Sequence, residues 1–227
     1  MSPSTGRRNR RRFGWTFAAV LAVGAGSLVV TAPGCGSSGG KSESSAKAVN
    51  SLTATRNEIA KAKTQVQQAN TALDNLQAGG DLNKSFSNYT KEVGDIKAAG
   101  DRAKGRAKDL QERQKQYIAA WQKETQDVSS PELRASAEAR RAKVRESFDK
   151  ISGAAAGARD AYQPYLKGLQ DIQTALKADL TPAGVDAAKP AIMKTKADGE
   201  VLMQRLDALV AELDAVGAGM GAAPAKK

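Results

Sequence analysis

From about residue 47 the apolar positions recur at alternating spacings of three and four, with polar and charged residues between them. That period belongs to amphipathic helices. The first such stretch runs through Leu52, Ile59, Val66, Leu73 and Leu76, and Gly79 and Gly80 stop it, predicting a helix over about 48–77. The second carries Phe86, Tyr89, Val93, Ile96, Leu110, Tyr117 and Trp121 on one heptad seam and predicts a helix over about 83–128. Ser130, Pro131 and Glu132 then supply a cap, a first-turn proline and a first-turn acid, opening a third helix over about 131–178. Thr181 and Pro182 repeat that start for a fourth, about 182–216. Pro164 should kink the third helix, and Pro190 should break the first two turns away from the fourth. Residues 217–227 read as a disordered tail.

The loops between these stretches are short, so consecutive helices should lie side by side in opposite directions. Folding the second and third helices back about Ser129 and Ser130 pairs residues whose numbers sum to about 260. Gly100, Ala103, Gly105 and Ala107 then face the run from Gly153 to Ala158, which predicts a close approach of two backbones along small residues. The two central helices are longer than the outer ones by about 20 Å at 1.5 Å per residue. The expected fold is all-α, an elongated antiparallel four-helix bundle over 48–216 with a projecting two-helix coiled-coil arm. Tyr117, Trp121, Arg134, Arg140, Arg141 and Lys143 fall on that arm and form the expected interaction tip. Trp121 has a competing role in packing, since it sits on the seam opposite Ala137 and Ala139.

Ahead of the helices, Arg7, Arg8, Arg10, Arg11 and Arg12 precede an uncharged, mostly apolar run from Phe13 to Ala32. Pro33, Gly34 and Cys35 follow, then a Gly/Ser-rich polar tract. Basic, apolar, small and polar segments in that order make a secretory signal, here residues 1–34. Residues 35–47 would then hold a lipidated Cys35 and a flexible tether. Simple secretion with a free thiol and an uncleaved signal anchor are the other two readings of the segment. Arg10, Arg11, Arg12 and Phe13 also resemble the twin-arginine export pattern.

Removing that segment changes the charge argument. Five of the 35 basic residues lie within it and none of the 24 acidic ones, so 30 basic residues face 24 acidic ones downstream, a net +6. Basic residues are spread along every helix, and an exported protein does not normally meet nucleic acid, so no nucleic-acid partner is expected. The chain has no histidine and one cysteine. A disulfide framework, a Cys/His zinc site, a Ser-His-Asp triad and an imidazole base are therefore all excluded. Glu92, Glu124 and Glu138 have no catalytic partner in the sequence and read as solvated helix faces. No catalytic residue, metal or cofactor is expected.

Phe86 through Tyr89, Ala120 through Glu124, Ser129 through Arg134, Leu166 through Leu169 and Leu206 through Val216 resemble an uncharacterised family of bacterial envelope lipoproteins. That family is catalogued only as a domain of unknown function. The resemblance spans about Ala48 to Val216 and implies a helical lipoprotein, with no activity, catalytic residue or cofactor. Together these readings predict a non-enzymatic protein held on the exported side of the bacterial cell envelope by an N-terminal lipid, serving as scaffold, spacer or adaptor. Its partners would be the membrane and either another envelope protein or a second copy. The alternative is a binding module for an anionic envelope component, whether phospholipid headgroups, wall polymer or lipopolysaccharide.

Overall fold

The computed structural model describes residues 39–220, with side-chain surroundings from residue 43. The signal segment, Cys35 and residues 221–227 of the tail lie outside the described residues. Four helices account for nearly all of the described chain: α1 Gly39–Gln77, α2 Leu82–Gln126, α3 Pro131–Ala178 and α4 Pro182–Gly219. No strand occurs among the described residues.

Local chemistry explains where three of these helices start. The Asp81 carboxylate accepts the Lys84 amide at 3.0 Å. The Ser130 hydroxyl accepts the Leu133 amide at 3.3 Å, and that of Thr181 the Gly184 amide at 3.1 Å. Each side chain satisfies a first-turn donor that the helix itself leaves unpaired. Pro131 and Pro182 begin their helices, where a missing amide costs nothing. Ser130 also donates to Glu132 at 2.7 Å, and this hydroxyl, followed by the residue's own backbone, holds the Glu132 carboxyl below its usual range. Gly79 and Gly80 follow α1 at φ values of 79° and 98°, a backbone region that side-chain-bearing residues avoid.

Two boundaries and the expected break at Pro190 differ from what the sequence suggests. α1 begins at Gly39, inside the stretch read as a flexible tether. Its early turns carry a Glu43–Lys47 ion pair at 2.5 Å, and Ala48 is fully buried, so packing outweighs the poor helix propensity of Gly and Ser. α4 runs to Gly219, with Val216 and Gly217 buried, so the tail begins later than residue 217. α3 continues through Pro164, and α4 through Pro190 without breaking. Both prolines are exposed, where water can satisfy the carbonyl each leaves unpaired.

Contacts between helices fix the registers. From α1 to α2, Ser51 donates to Asp109 at 2.8 Å and Glu58 accepts from Arg102 at 2.6 Å. From α2 to α3, the Tyr89 hydroxyl donates to the Leu169 carbonyl at 2.6 Å, and Tyr162 to the Ile96 carbonyl at 3.4 Å. From α1 to α4, Arg56 meets Asp214 at 2.7 Å, Lys196 meets Asp74 at 2.5 Å, and Lys63 pairs with Asp207. In each pair, residue numbers fall on one helix as they rise on the other. Tyr165 makes a diagonal link: from α3 its hydroxyl donates to the Val66 carbonyl at 3.3 Å and to Asn70 at 3.0 Å on α1.

The helical bundle is tightest around these tyrosines. Tyr89 and Tyr165 are fully buried, and burial drives both phenols well above the ordinary tyrosine range. Leu73, Leu169, Ile172, Leu176 and Ile192 fill the same region. Two glycines permit the approach there. A methyl group at Gly199 would lie 2.8 Å from the Tyr165 ring, and one at Gly168 would lie 2.3 Å from the Thr195 hydroxyl.

Candidate functional site

Above the tyrosine layer the same four helices enclose much less. On α2 the inward positions shrink to Ala99, Gly100, Ala103 and Ala107, and on α3 to Ala155, Ala156 and Ala158. The register near 258 places these runs opposite each other, as Tyr89–Leu169 and Ile96–Tyr162 show. Small residues do face small residues, as the sequence implies, yet they do not close the gap. Gly105 and Gly153, which the sequence places in this approach, do not line it: both face solvent, and a methyl group at either would meet nothing within 4 Å. Between the two runs lies a cavity of about 530 Å³.

Large side chains prop it open. Tyr162 lies across Gly100 so tightly that a methyl group there would sit 2.4 Å from its hydroxyl. Phe148 and Leu110, both buried, line the cavity farther along. The floor comes from the outer helices, with Ile59 and Val66 on α1 and Leu202, Leu206 and Leu209 on α4. The side chains along the α2–α3 opening (Lys104, Lys108, Gln111, Ser152, Arg159 and Gln163) are exposed, so the cavity opens to solvent there. The interior is mostly apolar.

Its two buried polar side chains are already engaged. The Glu58 side chain, 9% exposed, is held by Arg102 at 2.6 Å and lies 3.9 Å from Lys61. Thr55 donates to its own helix at the Ser51 carbonyl. At the mouth Arg159 pairs with Asp160 at 3.1 Å, whereas Lys104 and Lys108 make no ion pair among the described residues. The nearby Asp101 charge adds to burial in raising the Tyr162 phenol.

A second, polar recess of about 490 Å³ lies on the outer α1–α2 face, where Glu92 has one buried oxygen without a hydrogen-bond partner. Its other oxygen is 3.4 Å from Lys91. Glu124 stands about 48 Å farther along the same helix at 1.5 Å per residue, so these carboxylates do not converge. Among the described residues, no cluster of three or more Asp, Glu or Cys side chains forms that would hold a metal ion.

The expected interaction tip divides in two. Tyr117 and Trp121 are each 6% exposed, with ring centroids 5.8 Å apart, so neither is presented to a partner. Ala137 on α3 is buried and Ala139 exposed. Arg134 turns back to donate to the Val128 carbonyl at 2.8 and 3.2 Å, closing the turn between α2 and α3. Arg140 and Lys143 are exposed, and Arg141 is half-buried.

Charge is spread along every helix but not evenly. Residues 97–115 of α2 hold seven basic side chains against three acidic, and 140–150 of α3 hold five against two. α4 reverses the balance, with four basic and six acidic. The cavity and its basic mouth were not anticipated from the sequence. The signal was present in the alternation of small seam residues with Lys104 and Lys108 one turn apart, but small residues alone also describe two helices in contact.

No helix among the described residues is long and apolar enough to cross a membrane. A family model described as "Protein of unknown function (DUF2959)" matches residues 42–219. No curated protein matches the chain, and no solved structure does.

Proposed function

The chain belongs to this DUF2959 family of proteins of unknown function, and on that premise we propose that it is a non-enzymatic, lipid-anchored protein of the bacterial envelope that binds an anionic component there. In this reading Cys35 carries the anchor, residues 1–34 are removed on export, and the helices form an antiparallel four-helix bundle. The basic stretches of α2 and α3 form its binding face. The observation that carries the reading is the segregation of charge, basic on the middle of α2 and the first half of α3 and acidic on α4. Clustered exposed cations attract anionic lipid at roughly 1 kcal/mol each near the surface, within a Debye length.

The test is sedimentation of the purified protein with vesicles. Attachment should require anionic lipid, weaken several-fold between low and physiological salt, and be lost in an R140E/R141E/K143E variant. Equal attachment to neutral vesicles, or indifference to salt, would refute it. Mass spectrometry of the membrane-extracted protein tests the anchor: a mature N-terminus with an acylated Cys35 is expected, and an unprocessed precursor refutes it.

One observation favours a second reading, a spacer or adaptor for another envelope protein or a second copy. Leu133, at the start of α3, is 64% exposed beside the basic end, an apolar contact point that an anionic polymer would not use. A Leu133→Ser variant that loses a co-purifying protein while keeping vesicle attachment would support that role.

A further inference from the structure

We propose that the cavity between α2 and α3 holds the hydrocarbon chain of a single-chain anionic amphiphile, with its headgroup at Lys104 and Lys108. The proposal rests on the anionic-ligand reading above and deepens it, since it moves the ligand from the outer surface into the bundle.

Shape comes first. The lining runs from Ile96 to Gln114 on α2, about 27 Å at 1.5 Å per residue. A volume of about 530 Å³ spread over that length makes a channel narrow in cross-section. A packed helix, about 10–12 Å across, is too wide for it. Tyr162 also pins α3 to α2 at the Ile96 carbonyl, so the gap cannot part to helix width at that end. A flexible chain of methylenes meets both limits.

Chemistry then selects the interior. The walls are mostly alanine, glycine, leucine and isoleucine with Val66, Phe148 and Tyr162; the buried polar side chains Glu58 and Thr55 already have partners, and half-buried Gln114 lies at the far end. An ordered water needs two to four polar partners, and along most of their length these walls are apolar. Every methylene transferred from water into such walls gains, which makes an acyl chain the favoured filling.

The mouth selects the head. Lys104 and Lys108 lie one turn apart, exposed, and free of ion pairs among the described residues. Asp101 and the Arg159–Asp160 pair are also present at the opening, so the net local charge is positive and rests on the two lysines. A carboxylate or phosphate at the end of the buried chain would sit between them. A neutral head would leave both lysines without a counter-charge.

Calorimetric titration of the purified protein with oleate tests this, with oleyl alcohol and inorganic phosphate as comparisons. Oleate should bind saturably at one per chain, at least tenfold more tightly than oleyl alcohol, and phosphate alone should give no saturable heat. Filling the channel in an A107F/A155F variant should weaken oleate at least tenfold while helix content and attachment to anionic vesicles are kept. Should that variant fail to fold, the single Ala103→Leu change makes the same test with less added volume. Reversing the mouth in K104E/K108E, both exposed positions, should bring oleate down to the level of oleyl alcohol. Unchanged oleate binding in a folded, filled variant overturns the proposal, as does equal binding of acid and alcohol. Loss of vesicle attachment in R140E/R141E/K143E with oleate binding intact would support the channel. Vesicle attachment that persists while no oleate binds defeats the channel and leaves the surface reading standing.

Discussion

Replacing individual helical glycines by alanine should change stability in opposite directions according to what lies beside each one. Gly105 and Gly153 are in helix interiors, face solvent, and would place the new methyl group in open space. Alanine is favoured over glycine in a helix by about 1 kcal/mol, so G105A and G153A should each stabilise by that amount and the pair by about 2 kcal/mol. For a chain of this size, each kcal/mol moves the midpoint by about 2–4 °C, so the double variant should melt about 4–8 °C higher. Gly168 and Gly199 carry the same propensity term and a larger opposing one. Their added methyl groups would overlap Thr195 and the immobile Tyr165 ring, and overpacking costs about 1–3 kcal/mol. G168A and G199A should therefore fall short of G105A by about 1–3 kcal/mol, a net loss of up to about 2 kcal/mol. Urea and thermal unfolding followed by far-ultraviolet circular dichroism measure all four. A destabilised G105A or G153A would mean that the added methyl group meets a neighbour there, against the open, solvent-facing surroundings of both positions.

Three further outcomes follow from contacts already described. Tyr89→Phe and Tyr165→Phe remove hydroxyls that link separate helices and should each cost about 1 kcal/mol in urea unfolding, without loss of helix content. Ser130→Ala removes the cap at the start of α3 together with the bond to Glu132, and should cost about 1 kcal/mol, whereas Ser129→Ala should cost nothing measurable by the same assay. Burial raises the Tyr89 and Tyr165 phenols in the folded state, so the folded protein holds those protons more tightly than the unfolded chain does. Their contribution is complete below the unfolded phenol's pKa of about 10 and declines as pH rises beyond it. Spectroscopic titration should show both phenols still neutral after an unfolded control has ionised, and unfolding free energy should fall over the same alkaline range.

Helix period, caps and stops were readable because each depends on neighbours in the chain. The start of α3 at Pro131 follows from Ser130, Pro131 and Glu132 alone, and the end of α1 from two consecutive glycines. The start of α1 was not readable, because Gly39 through Ser45 carry little helix propensity and the helix continues into them from the buried turn at Ala48, which no local rule reports. Pro190 misled for a related reason: its helix-breaking effect assumes a carbonyl left dry, and this one faces water. The site was half legible. Facing runs of glycine and alanine marked where α2 and α3 would oppose each other, and the register was close. Whether such runs touch or stand apart depends on the bulk at their ends, here Tyr162 on Gly100. Trp121 shows the same limit, since a seam position fixes the face of the helix it occupies and leaves open whether something covers it.

Tyr165 spans the bundle from α3 to α1, bypassing both of the helices next to its own. Anchored corner to corner at that level, the four helices cannot drift apart there as a group. Any widening needed to admit a guest must come from α2 and α3 bowing outward beyond the bolt, as the tines of a fork spread from a rigid handle. Amide exchange should accordingly be slowest below that level and fastest toward the turn at Ser129.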